Sequence, residues 1–509
     1  VLVQAAAAAS AAPAQPLAEA LYARHCAACH GADRLGGSGP ALLPENLSRL
    51  KRPQAERVIL EGRPATRMPG FAGQLSPQEV RALADYIYAP LPAVPRWGEA
   101  EIRASRIEHA SRASLPERPV HGADPLNLFV VVETGDHHVT ILDGDRFEPL
   151  ARFPSRFALH GGPKFSPDGR FVYLASRDGW VSRYDLWGLR LVAEVRAGIN
   201  TRNLAVSSDG RYVAVANYLP HTLVVLDADL HPVRVIEARA ADGERTSRIS
   251  AVYDAPPRKS FVAALKDVPE VWELAYSERP GAAGAGLVHE GGERAGAAVA
   301  ALLRPRRIVL EEHLDDFAFT PDYSALVASS REGAGAQVVD LDARRRIATL
   351  ALPGMPHLAS GIAWRRNGRT LMATPNLREA RVSVFEVGSW RLVREIPTPG
   401  AGFFLRSHEA SRYAWVDAFN SPRRDTIALI DKETLELAHT LRPAPGKTAA
   451  HVEFTRDGRY ALVSVWEPEG ALVVYDARTL EEVKRIPMKR PSGKYNVYNK
   501  IARSSGTSH

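Results

Sequence analysis

Phe165-Ser166-Pro167-Asp168-Gly169-Arg170 is a polar turn that leads directly into a strand-like apolar run. The theme returns as Ser207-Ser208-Asp209-Gly210-Arg211, Tyr253-Asp254-Ala255-Pro256-Pro257 and Phe319-Thr320-Pro321-Asp322. It returns again as Trp364-Arg365-Arg366-Asn367-Gly368, Ser407-His408-Glu409-Ala410-Ser411 and Phe454-Thr455-Arg456-Asp457-Gly458. Asp168 and Asp209 are 41 residues apart; Asn367 and Asp457 are 90 apart, with the Ser411 copy between them. Two strand-like runs follow each turn, and the second often ends in Asp, as at Asp227, Asp340 and Asp476. A repeat of about 40–45 residues with about four strands is the signature of propeller blades. A β-sandwich, the other all-β option, does not produce so regular a repeat. The runs 129–132 and 139–142 open the region without a turn of their own, and a lone strand lies near 495–497. Those pieces are expected to complete one blade between the two termini and so close a ring of eight. The Ala/Gly-rich insert 281–300 reads as a surface loop.

The first hundred residues follow a different plan. Both cysteines of the chain fall in Cys26-Ala27-Ala28-Cys29-His30, and C-x-x-C-H is the attachment signature of a c-type haem. Each thiol forms a thioether with the macrocycle, and His30 becomes an axial ligand. A redox C-x-x-C calls for a thioredoxin-like βαβ setting, which is absent. A zinc site needs two more ligands, and His25 is the only spare one nearby. Residues 17–25 read as a helix running into the motif. Ser76-Pro77-Gln78-Glu79 is a capping box that opens a second helix, with Val80, Leu83, Ala84 and Ile87 at helical spacing. Between them stands Arg67-Met68-Pro69-Gly70, where small cytochromes c place a second axial ligand; the alternative for Met68 is gap-filling in a core.

The expected organisation is a leader at 1–15, a small all-α cytochrome c domain at 16–92, a linker at 93–125 and an all-β eight-bladed β-propeller at 126–509. The Ala-rich start resembles the end of a signal peptide, and a flexible leader is the plainer alternative. Thioether attachment of haem occurs outside the bacterial cytoplasm, so the reading is periplasmic. No apolar run approaches membrane-spanning length. The net charge of +7 comes largely from scattered arginines, without the basic and aromatic interleaving of a nucleic-acid groove. Arginine in surplus suits the binding of carboxylates.

Aligning the repeats places His160, Arg202, Arg248, His313, His357, Phe404 and His451 at the start of the first strand of each blade. A single such histidine is ordinarily structural. Four at equivalent positions, with arginines beside them, describe a site for a metal centre carrying negative groups.

A cytochrome c domain followed by an eight-bladed propeller resembles the cytochrome cd1 family. The resemblance is carried by Phe157-Ala158-Leu159-His160, Tyr184-Asp185-Leu186-Trp187, Pro356-His357 and Ser492-Gly493-Lys494-Tyr495-Asn496-Val497. It implies that His160 is the proximal ligand of a haem d1 iron, with His313 and His357 on the opposite face. It also implies that Arg177, Arg202 and Arg248 bind the d1 carboxylates. Two enzyme types share this build: the nitrite reductase, with d1 as cofactor, and the dihydro-haem d1 dehydrogenase, with a d1 precursor as substrate. The chain resembles the dehydrogenase more. No Tyr precedes Tyr22, His451 stands where the reductase pattern has no histidine, and the ending Asn499-Lys500-Ile501 to His509 is dehydrogenase-like. A haem d1 carrier is a third reading, disfavoured because a carrier needs no electron outlet. The dehydrogenase reading implies that a propionate becomes an acrylate. His451 is then the candidate base, Tyr495 its hydrogen-bonding partner or a strand-packing residue, and His357 a further candidate at the same site. Electrons leave through haem c to a soluble acceptor such as a periplasmic cytochrome. Haem d1 maturation proteins or a nitrite reductase are further partners implied.

Overall fold

The computed structural model describes residues 14–37, 39–48, 50–63, 68–93, 95–277, 302–330, 335–352 and 354–503. The insert at 281–300, the end of the tail and nearly all of the leader fall outside them. Two compact units meet between Arg96 and Trp97.

The first unit is helical, with helices Ala14–His25, Ala27–His30, Pro44–Leu47, Arg52–Glu61 and Pro77–Tyr88. The capping box forms: Glu79 N–H donates to Ser76 Oγ and Ser76 N–H to the Glu79 carboxylate at 2.8 Å. Val80, Leu83, Ala84 and Ile87 are then all buried, and they share one core with Leu21, Tyr22, Ile59 and Phe71. The helix Arg52–Glu61 has no counterpart in the sequence reading; its apolar stripe is short, with only Ala55 and Ile59 buried.

The second unit is a ring of eight antiparallel sheets. Blade 1 is completed by the far end of the chain: Pro491–Asn496 pairs with Leu128–Glu133, setting Asn496 opposite Phe129 and Lys494 opposite Val131. The later blades each follow the four-strand order seen in blade 3, Asn200–Val206, Tyr212–Leu219, Thr222–Asp227 and Pro232–Glu237. Middle strands are covered on both faces by neighbouring blades, so Leu128–Glu133 and Ser260–Leu265 are buried at every position, as such strands must be. Outer strands such as Arg345–Leu350 alternate.

The repeated turns have a common physical basis. In four of them a Ser or Thr hydroxyl donates to the Asp, which accepts an N–H two residues on, as Asp209 does from Ser207 and Arg211. The residue after that Asp is left-handed, at φ +73° for Gly169 and +70° for Gly458, which is why glycine recurs there. The Asp residues closing the third strands do a second job: Asp227, Asp340 and Asp476 each accept an N–H two residues ahead.

The stretch after Trp97, read from sequence as part of a linker, belongs to the propeller unit. Trp97 Nε1 donates to Arg196 O at 2.8 Å, Ile102 is fully buried, and Ile107–Glu108 adds a fifth strand beside Arg190–Arg196. Its charged surroundings mask two apolar anchors that pack against Val195 and Ala197.

Candidate functional site

In the helical unit, C-x-x-C-H becomes a single helical turn, with Cys29 and His30 N–H both donating to Cys26 O. Burial pushes the Cys26 thiol up to about 11. His30 is buried, and its Nδ1 donates to the Pro40 carbonyl at 2.7 Å. A carbonyl only accepts, so Nε2 carries the lone pair, the arrangement usual for a metal-ligating histidine. A Cβ on Gly39 would lie 2.8 Å from this ring, so glycine there leaves the imidazole its place. Met68 sits in a loop pinned to the preceding helix: Arg63 N–H donates to Met68 O at 3.1 Å, and a Cβ on Gly62 would meet that oxygen at 2.7 Å. Two thiols, an imidazole of fixed tautomer and a thioether are a donor set that fits covalent haem c.

In the propeller, the predicted mouth residues divide into three groups. His160, Arg177 and Arg202 form the first. His160 Nδ1 donates to Arg202 O at 2.7 Å, and its Nε2 accepts from Arg177 at 2.9 Å. Arg202 also reaches Asp316 at 3.5 Å. Arg202 Nη1 lies 3.2 Å from the same nitrogen, so a metal bound at Nε2 requires both guanidinium groups to turn away. The second group centres on Asp267, whose carboxylate takes both arms of Arg248 at 2.5 and 2.9 Å. The ring of His313 is held here too, its Nε2 donating to Asp267 O at 3.2 Å. That nitrogen is therefore a donor, which sets His313 apart from the other candidate ligands.

The third group is a chain of rings: His357 on Phe403, Phe403 on Phe404, Phe404 on His451, and His451 on Tyr495 at 5.1 Å between centroids. It turns back toward the first group at Gly162 (φ +72°), where a Cβ would lie 3.0 Å from the Tyr495 ring. His357 repeats the pattern of His30 and His160, its Nδ1 donating to Phe403 O at 2.7 Å. Burial lowers its pKa to about 4, so it is a neutral lone-pair donor throughout the physiological range.

His451 differs from all of these. It is 0% exposed, and both its ring nitrogens lack a hydrogen-bond partner. Burial first, then the cations Lys494, Arg406 and Lys500, hold it far below the ordinary histidine pKa. Leaving two buried polar atoms unpaired costs about 1–3 kcal/mol each, a cost that a structural histidine avoids. The imidazole is a neutral base in a fully buried pocket flanked by Lys494, Arg406 and Lys500, beside a tyrosine whose hydroxyl burial raises to about 12.

The sequence reading missed Phe403, Gly162, Asp417 and Lys494. Asp417 could have been found from the repeat. Asn217 lies opposite Thr201, Asn376 opposite Pro356, and Asp417 receives Phe403 N–H at 2.7 Å. The same blade position holds Asn twice and a carboxylate once.

A haem-binding helical unit and a histidine-rich eight-bladed ring define a class, the cytochrome c–haem d1 propellers. Residues 123–285 and 299–500 match the family described as cytochrome D1 heme domain, and residues 13–87 match cytochrome C oxidase, cbb3-type, subunit III. A dihydro-heme d1 dehydrogenase of Pseudomonas aeruginosa is 61% identical over 492 residues, 96% of this chain and 95% of that protein. The solved structure of dihydro-heme d1 dehydrogenase NirN in complex with DHE superimposes with a TM-score of 0.90 at 60% identity, covering 95% of this chain and 100% of that one. A nitrite reductase of Stutzerimonas stutzeri is 24% identical over 540 residues, 94% of this chain and 92% of that protein. The chain belongs to the dihydro-haem d1 dehydrogenase family within the cytochrome D1 heme domain proteins.

Proposed function

We propose that this protein oxidises dihydro-haem d1, converting one propionate side chain to the acrylate of haem d1. The observation that carries the assignment is the buried, unpartnered imidazole of His451 against Tyr495. Making the carbon–carbon double bond removes two protons and two electrons from the substrate. His160 and His357 hold the tetrapyrrole iron, and Arg177, Arg202 and Arg248 take its carboxylates. His451 accepts a proton from the side-chain carbon, and Tyr495 orients or relays it. Cys26, Cys29, His30 and Met68 would hold covalent haem c, which would take the two electrons one at a time, each passed to the outside acceptor before the next. The second proton would leave by the same imidazole once it has released the first. A soluble cytochrome outside the cytoplasm is the terminal acceptor, and the protein works in the periplasm. Among the described residues no helix is long and apolar enough to cross a membrane.

The test is the visible spectrum of the purified protein before and after adding dihydro-haem d1 with an oxidant. Conversion to haem d1 at two electrons per product supports the assignment. Tightly retained d1 and nitric oxide release from nitrite would instead make it a reductase.

Two smaller predictions follow from the same geometry. Gly162→Ala forces a Cβ into the left-handed region and against the Tyr495 ring, so turnover should fall by about tenfold or more. Steady-state kinetics beside a melting curve separates that from general damage. Met68→Ala removes the thioether and should lower the haem c potential, measured by redox titration.

A further inference from the structure

His451 occupies an irregular place in its strand. Ala449–Phe454 pairs with Tyr460–Val465, but the register jumps from Ala450↔Ser464 to Val452↔Val463. His451 is the residue left over, a β-bulge, and its φ is +51°. Bulges re-aim a side chain, and a β-carbon-bearing residue in the left-handed region persists only where its surroundings impose that conformation.

The surroundings here are two buried ionisable side chains, one from each flanking blade; burial pushes the Asp417 carboxyl up to about 6 and holds Lys494 well below an ordinary lysine. On one side, Asp417 of blade 7 (Tyr413–Asp417) accepts the His451 N–H at 3.4 Å. The same carboxylate accepts Phe403 N–H at 2.7 Å and Phe404 N–H at 3.2 Å, so it also fixes the rings against which His357 and His451 pack. On the other side, Lys494 of the closing strand is 0% exposed. Its Nζ donates to His451 O and, at 2.8 Å, to Ser464 Oγ, which belongs to the last regular pair before the bulge. Both backbone polar groups of His451 are thus occupied by buried side chains from other blades, while the imidazole between them keeps two free nitrogens.

We propose that Asp417 and Lys494 are positioning residues that clamp the His451 backbone in its bulged, left-handed form and so aim the imidazole at the substrate side chain beside Tyr495. Released from the clamp, the strand regains regular pairing, and pairing shifted by one residue sends side chains to the opposite face. The proposal rests on His451 being the base. It also gives the closing strand a role in the chemistry, because Lys494 and Tyr495 are consecutive residues on it.

The experiment uses full-length holoprotein with dihydro-haem d1 as probe, comparing His451→Ala, Lys494→Met, Lys494→Gln, Asp417→Asn and the double variant His451→Ala/Lys494→Met. Lys494→Met should lower kcat by about 10–100-fold, the scale of a misplaced catalytic group. The tetrapyrrole Kd should move less than about threefold, because the group binds nothing on the ligand. Lys494→Gln retains a donor and should recover most of kcat. Asp417→Asn should show the same split between kcat and Kd; if it does not fold, the Lys494 pair carries the test. In the His451→Ala background, Lys494→Met should have no further effect, since its action passes through that histidine. Wild-type kcat in Lys494→Met, or a further loss in the double variant, overturns the clamp while leaving His451 as base. Wild-type turnover in His451→Ala overturns the base assignment itself.

Discussion

Replacing His451 by alanine should lower turnover of dihydro-haem d1 by about a thousandfold or more while leaving tetrapyrrole affinity within a few-fold. Loss of a positioned base accounts for about 10²–10⁴, and the pocket offers no obvious substitute. Tyr495 is held protonated by burial. Burial holds Lys494 and Lys500 below an ordinary lysine, but Lys494 Nζ is spent on His451 O and Ser464 Oγ and Lys500 Nζ on Glu453. Binding should survive because, on the proposed assignment, the ligand is held by other groups, His160 and His357 at the iron and the arginines at the carboxylates. Single-turnover spectroscopy, with a separate binding titration, measures both terms. Near-normal turnover would return His451 to the structural residues. Stability should change little: the cavity left behind is offset by relief of the two unpaired nitrogens, whose cost is about 1–3 kcal/mol each.

The pH behaviour of that residue has a definite sign. His451 binds its proton less readily in the folded protein than in the unfolded chain, with burial the main cause and the cations Lys494, Arg406 and Lys500 adding to it. Below the ordinary histidine pKa the unfolded chain therefore takes up more protons, and stability falls as pH drops through that range. Turnover behaves differently. The imidazole stays neutral well below 6.5, so its protonation should impose no acid limb on kcat between about pH 6 and 8. A kcat profile that falls along a single ionisation near 6.5 would contradict this.

Much of this was legible from the chain alone, for reasons particular to its elements. The blades could be read because their turns need an Asp that caps and a left-handed residue beside it, and both leave marks in sequence. The closing strand could be read because a pair of strands without a turn at one end matched a lone strand at the other. His160, His357 and His451 emerged because each opens a blade at the same position. The distinction among them did not emerge. His357 and His160 are set as metal donors by a backbone carbonyl 46 and 42 residues away, whereas His451 is set apart by having no such partner. Neither fact has a local signature. The register jump at His451 recurs in the first strand of another blade, between Ile249 and Ala251. What is particular to His451 is its positive φ, and that is silent in sequence because the groups holding it, Asp417 and Lys494, lie on other blades. Trp97 and Ile102 were obscured by the charged residues around them.

Ending the chain after Arg490 should lower the melting temperature of the propeller by about 5 °C or more and abolish turnover, while the haem c spectrum persists. The segment removed is the first strand of blade 1, not a trailing end. Without it, Leu128–Glu133 becomes an unpaired edge of near-continuous apolar sequence, a template for aggregation. Buried links go with it: Asn496 to Asn127 at 3.0 Å, Asn499 to Phe454 O at 2.9 Å, and Arg503 to Asp254 at 2.7 Å. Those three contacts tie the end of the chain to blade 1 and to the blades that begin with Ala449–Phe454 and Ile249–Ala255. The strand ladder, the burial of Val497 and these polar links together exceed about 5 kcal/mol, and for a unit of this size each kcal/mol is worth about 1 °C. The helical unit has its own core around Tyr22 and Leu83 and contains every residue assigned to haem c. Calorimetry of the truncated protein should therefore show one transition displaced and the haem-linked transition unmoved. Adding the peptide 491–503 should restore part of the lost stability by refilling blade 1. A truncated protein that melts with the full-length one would mean that the ring is held by its blade-to-blade cores without closure.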